Sequence, residues 1–140
     1  MENIKIAFAS DDGENFMGRH FGDSQYYFVY QLADDKLEFN KKISNTTEDE
    51  EGHSDAVKAG NIGSLLKKEG VNITVSKIYG PNIKRIRKKF VCIVSKSNRI
   101  EVAKQGILDN IELIKKEWER GESRTHLEIW NGDKTSGWTD

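Results

Sequence analysis

A single cysteine, Cys92, stands among the 140 residues, beside a single proline, Pro81, and three histidines. One cysteine excludes an intrachain disulfide, and it excludes an all-cysteine iron–sulfur or zinc site within one subunit. No apolar run approaches the roughly 18 residues that would span a bilayer. Charge of one sign is missing as well: 22 Lys and Arg against 23 Asp and Glu leave a formal charge of −1. No global field therefore drives the chain toward nucleic acid or an acidic membrane. Internal repeats and low-complexity linkers are absent too. What remains is a chain with 32% charged residues, long enough for one domain with a real core, and expected to be cytosolic. Its first residues, Met1 to Ile6, read as the start of a strand and not as a signal peptide.

The pattern of elements is β-β-β-α-β-α-β-α. Ile4 to Ala9 is apolar on both parities and reads as a central, doubly covered strand. Residues 25–32 hold three tyrosines, Phe28 and Val29, a second strand. Asp34-Asp35 turns the chain. Leu37, Phe39 and Ile43 then share one parity, predicting a hairpin partner with one solvated face. Residues 44–54 are polar, include Glu48 to Glu51, and form a loop. A helix capped by Ser54 carries Ala56, Ala59, Ile62 and Leu66 and stops at Gly70. Val71 to Ile78 is the next strand. Gly80-Pro81 opens a second helix lined inside by Ile83, Ile86 and Phe90. Val91 to Val94 is a buried strand. A third helix runs from Ile100 to Trp118, with Asn98 and Glu101 as a capping box. Such an order implies a mixed sheet with helices on its faces, the first three strands antiparallel and the later ones parallel through right-handed crossovers. From Glu119 onward, Leu127, Ile129 and Asn131-Gly132 predict either a docked hairpin or edge extension, or a flexible tail.

Three short polar loops carry the chemistry: Arg19-His20-Phe21-Gly22, Gly52-His53-Ser54 and Gly80-Pro81-Asn82. Two supply imidazoles, good ligands for iron, copper, zinc or molybdenum-containing clusters. The third supplies the N–H groups of Asn82, Ile83 and Lys84 at a helix start. Arg19 adds a charge-assisted donor for bridging sulfides or an organic acid on a cluster. Convergence of the three loops would make a pocket with two nitrogen ligands and an anion-friendly wall. Each residue also has a plainer use. His20 and His53 would serve as loop histidines, and Gly80-Pro81 as a well-built helix start. Cys92, between Val91 and Ile93, is expected in the core; facing the pocket, it would complete an N/S ligand set. Lys84, Arg85, Arg87, Lys88 and Lys89 form a basic run that reads first as a solvated face and second as a surface for an acidic partner. Asp11 and Asp12 invite a nuclease reading, but two-metal chemistry needs several carboxylates around ions about 4 Å apart, and the later strands offer Val75, Ser76, Ile93 and Val94. Asp12-Gly13 is read as a turn.

With these pieces in order, the chain resembles the dinitrogenase iron–molybdenum cofactor biosynthesis family over residues 3–118. The resemblance rests on Asp11-Asp12-Gly13, His20-Phe21-Gly22-Asp23 entering a Tyr/Phe-rich strand, Gly52-His53, Gly70-Val71 and Gly80-Pro81-Asn82. It implies a single-domain, ribonuclease H-like α/β fold with a five-stranded mixed sheet over residues 1–118, followed by an extension over 119–140. It further implies non-catalytic binding and carriage of an iron–sulfur or iron–molybdenum type cluster. Metal ligands would be His20 and His53; Arg19, Gly22, Gly52, Gly80, Pro81 and Asn82 would line the cargo. So few ligands hold weakly, and the protein is expected to be empty as isolated. The implied partners are a cluster donor or acceptor protein, with no membrane and no nucleic acid; a homodimer stays open. The alternative is a regulatory or interaction module that keeps the fold without the cargo.

Overall fold

Six strands form one mixed sheet. The computed structural model describes residues 3–45 and 55–129, and of 55–61 the backbone alone. Strand β1 (Lys5–Ser10) lies at the centre, antiparallel to β2 (Tyr26–Ala33) and parallel to β4 (Ile73–Ser76). Its apolar residues alternate between two cores, as a strand's period of two requires. Ile6 and Phe8 pack on one face and Ala7 and Ala9 on the other, all at most 5% exposed. Strand β3 (Lys36–Ser44) pairs antiparallel with β2 across a turn in which Asp34 takes φ +58°, a left-handed conformation that aspartate tolerates better than most residues. Strand β5 (Val91–Ser95) runs parallel to β4, and with β6 (Leu127–Ile129) at the far edge the order is β3-β2-β1-β4-β5-β6.

Helices cover both faces. Ile62 and Leu66 of α1 (Asp55–Lys68) pack with Val29, Val71, Phe90 and Cys92 on one side. The helix ends at Gly70, φ +85°, whose N–H donates to the Lys67 carbonyl while Val71 N–H donates to Leu66, a left-handed closure that glycine favours. Ile100, Ala103 and Ile107 of α3 (Ile100–Asp109) and Ile114 of α4 (Ile111–Trp118) pack against Ile73, Val75 and Ile93 on the other side.

The structure corrects several sequence expectations. The sheet has six strands and not five, because β6 (Leu127–Ile129) adds in parallel to β5. The third helix is two helices. Asn110 leaves helical geometry at φ −122°, ψ 24°, and its buried amide donates to the Gly106 carbonyl at 2.8 Å, so a side chain satisfies a group that the helix would otherwise use. Asn98 and Glu101 form no capping box: Arg99 is the cap residue, its N–H donates to Ser97 Oγ, and Ile100 N–H donates to the Glu14 carbonyl. The second helix shrinks to a 3-10 turn, Gly80–Asn82, followed by α2 (Ile83–Ile86).

Parity also fails in β3. A bulge between Val29 and Tyr30 pairs Val29 with Lys41 but Tyr30 with Phe39. The extra residue turns the strand over. Leu37 packs toward the α3 side while Ile43 packs toward the α1 side, and Phe39 is 57% exposed. Ser54, Trp130, Asn131-Gly132 and Trp138 lie outside the described residues.

Candidate functional site

The carboxyl ends of β1, β4 and β5 all finish in a buried serine. Ser10 Oγ donates to the Asn15 carbonyl at 2.6 Å, Ser76 Oγ to Ile78 at 2.9 Å and Ser95 Oγ to Ser97 at 2.8 Å. Each hydroxyl bends its own outgoing chain, and the three turns gather at one end of the sheet. Open α/β sheets place ligands at this end of their parallel strands.

The loop after β1 lies across these ends. Asp12 accepts N–H bonds from Glu14 at 2.8 Å and Asn15 at 2.9 Å, which hold its carboxyl down at about 2; this is the turn expected at Asp12-Gly13. Phe16 N–H then donates to the Asn98 carbonyl, and His20 makes a parallel bridge to Ile78. Phe21 drops into the α1-side core, stacked on Tyr79 with ring centroids 5.4 Å apart. Tyr27 Oη donates to the Phe21 carbonyl at 2.7 Å, and Asn45 Nδ2 donates to Gly22 and Ser24, both at 3.0 Å. Tyr79 Oη reaches Thr74 Oγ1 and the Ile93 carbonyl. Burial raises its phenol well above the ordinary range.

The loop thereby sets His20 against Gly80. A Cβ built on Gly80 would lie 2.7 Å from His20 Cε1 and Nδ1, so the imidazole rests directly on the glycine. Gly80 takes φ +73°. The His20 side chain is exposed, and neither ring nitrogen has a hydrogen-bond partner among the described residues. Arg19 turns instead to Asp11, Nη2 to Oδ2 at 3.2 Å, and is still 48% exposed. Asp11 also accepts the Gln25 N–H at 2.9 Å.

Two of the three polar loops, around His20 and Gly80-Pro81-Asn82, thus meet. Gly52 and His53 of the other lie outside the described residues. Of the three N–H groups expected to be free at the helix start, that of Ile83 is bonded to the Gly80 carbonyl. Cys92 is fully buried on the α1-side face, with its thiol pushed up to about 12 by burial, so it does not complete a ligand set. Among the described residues no three His, Cys, Asp or Glu side chains cluster as they would around a metal ion. Among the described residues the nitrogen donors at this loop are one imidazole and a neighbouring arginine. Sequence reasoning missed the Asp11–Arg19 pair and the Phe21–Tyr79 stack. The only signal for the stack was the place of Tyr79 just before Gly80.

A comparison with curated proteins gave no match. A crystal structure at 1.70 Å of a Methanocaldococcus jannaschii protein, provisionally named a dinitrogenase, aligns with a TM-score of 0.53 at 21% identity, over 79% of this chain and 92% of that one. An NMR structure of the Methanococcus jannaschii protein under the same provisional name gives 0.54 at 18% identity, with the same coverage. At these identities the likeness is one of fold. The family model described as dinitrogenase iron-molybdenum cofactor matches residues 2–116, ending inside α4 and before β6. With that match over most of its length, the chain belongs to the dinitrogenase iron-molybdenum cofactor family.

Proposed function

We propose that this protein binds an iron–sulfur or molybdenum/iron–sulfur type cluster and hands it on, without catalysing a reaction. The observation that carries this reading is His20. Its imidazole is exposed, has no hydrogen-bond partner among the described residues, and is held against Gly80 at the carboxyl ends of the parallel strands. A neutral imidazole is a competent ligand for iron and molybdenum. One such ligand binds reversibly, as a carrier needs. Arg19, already at the rim, would offset the negative charge of the cluster. Gly22, Pro81 and Asn82 would border the cargo; Gly52 and His53 would add a wall and a second ligand. The partners would be the proteins that load and unload the cluster, in the cytoplasm. No helix among the described residues is long and apolar enough to cross a membrane. A β3-β2-β1-β4-β5 order with an antiparallel first half supports the ribonuclease H-like description of residues 1–118, with 119–140 as an extension.

Anaerobic titration with a molybdenum–sulfur or iron–sulfur species, followed by absorbance and EPR, tests the proposal. Wild type should bind one equivalent, and His20→Ala should weaken binding by at least about tenfold, the loss of a principal ligand. Unchanged binding by His20→Ala would remove the assignment. A wild type that binds none of these species would favour the alternative of an interaction module.

A further inference from the structure

Beside the His20 site runs a groove of about 450 Å³. Four cations, Lys84, Arg85, Arg87 and Lys88, line it against a single carboxylate, Glu122. Pro81 and Asn82 form part of the same wall, so the groove begins one residue from the glycine that supports His20.

Some bases elsewhere find acids, Lys41 with Glu69 at 2.7 Å, Lys104 with Glu101 at 3.0 Å and Arg120 with Glu117 at 3.4 Å, but nowhere else do four cations line one groove against one carboxylate among the described residues. None of the four groove cations is ion-paired among the described residues. A further positive charge lies behind them. Arg124 is 6% exposed, and its Nη1 donates to the carbonyls of Arg87 and Lys88 at 3.3 and 3.0 Å. This guanidinium fixes the backbone that carries the groove's bases and adds its own field. In a chain whose net charge is −1, the positive potential is local, and adjacent like charges repel until an anionic partner relieves them.

We propose that the groove docks an acidic segment of a partner protein. Lys84, Arg85 and Lys88 stand on long, exposed side chains with Arg87 half-buried beside them, along α2 and the turn that follows it, and among the described residues no set of buried side-chain donors converges on one point of the groove. A small-anion site needs such convergence; a run of carboxylates can instead meet several bases at once, with arginine offering paired donors. A segment seated there would bring the partner's surface next to His20. The inference stands on the groove's charge and does not require His20 to bind a cluster.

A fluorescein-labelled ten-residue Asp/Glu peptide, titrated by anisotropy into the full-length, metal-free protein at low ionic strength, provides the test. Saturable one-to-one binding is expected. Arg85→Glu with Lys88→Glu should weaken it by at least about tenfold, while Lys36→Glu with Lys42→Glu on β3, an equal change in net charge, should alter it by less than about twofold. His20→Ala should bind the peptide as wild type does, which separates failure of this proposal from failure of cluster carriage. Arg85→Gln with Lys88→Gln, with its melting temperature checked against wild type, guards against misfolding and should also weaken binding. Equal losses in the β3 variant would overturn the proposal, since net charge alone would then explain the binding. Stoichiometric displacement of the peptide by inorganic triphosphate would overturn it in favour of a small-anion site. Self-association without peptide that is lost in Arg85→Glu/Lys88→Glu would overturn it in favour of a second copy of this chain.

Discussion

Gly80 and His20 depend on each other. The glycine holds φ at +73°, and a Cβ there would sit 2.7 Å from the ring. Gly80→Ala should therefore cost about 1–3 kcal/mol from the backbone alone, read as a lower melting temperature. It should also displace the imidazole, seen as shifted His20 ring signals in NMR spectra. Wild-type stability with unmoved ring signals would contradict the contact. Cys92 gives a second prediction. Its thiol ionises near 9.0 in the unfolded chain and near 12 in the fold because burial penalises the thiolate. The unfolded chain thus loses its proton first, so the thiol's effect on stability is constant below 9.0 and stability falls as pH rises from there toward about 12. Buried Tyr79 acts in the same direction. Urea midpoints on either side of pH 9.0 should show the fall, and Cys92→Ala should flatten its onset.

Between elements, Arg124 is the main polar fastener on this side of the molecule. Besides its bonds to Arg87 and Lys88, Nε and Nη2 donate to the Trp118 carbonyl at 3.1 and 2.8 Å, and the guanidinium lies 4.4 Å from the Trp118 ring centroid. It joins the end of α4, the approach to β6 and the turn after α2. Arg124→Ala leaves three carbonyls short of a donor and should cost about 2–4 kcal/mol in a denaturant titration. Arg124→Lys should recover only part, because one ammonium cannot reproduce the planar fork. Nothing in the sequence marked this residue. Its partners are set by tertiary packing, whereas local rules act over a few positions. The same limit explains the misread of β3. Alternation correctly marked Leu37 and Ile43 as inward-facing, but the bulge that sends them to opposite faces arises from pairing with β2 and leaves no local trace.

For the molecule as a whole, the hairpin followed by βα units made the mixed sheet legible, since turn residues and hydrophobic period are both local. Strand β6 was legible only as one of two alternatives, an edge extension at Leu127 and Ile129, and stayed out of the five-strand count because three residues are too short for a period to show and gain strand form only by pairing with β5. At the site, the meeting of His20 with Gly80 was legible through the two motifs taken together. The pairing of Arg19 with Asp11 was not, because either charge could have turned to solvent. The β3 bulge has a consequence for assembly. It kinks the outermost strand, which also carries Lys36, Lys41 and Lys42. A bent, lysine-studded margin is a poor template for annealing another chain by strand addition. Fibril-like stacking through that margin is accordingly disfavoured by the shape of the backbone, before any side chain of a second molecule is considered.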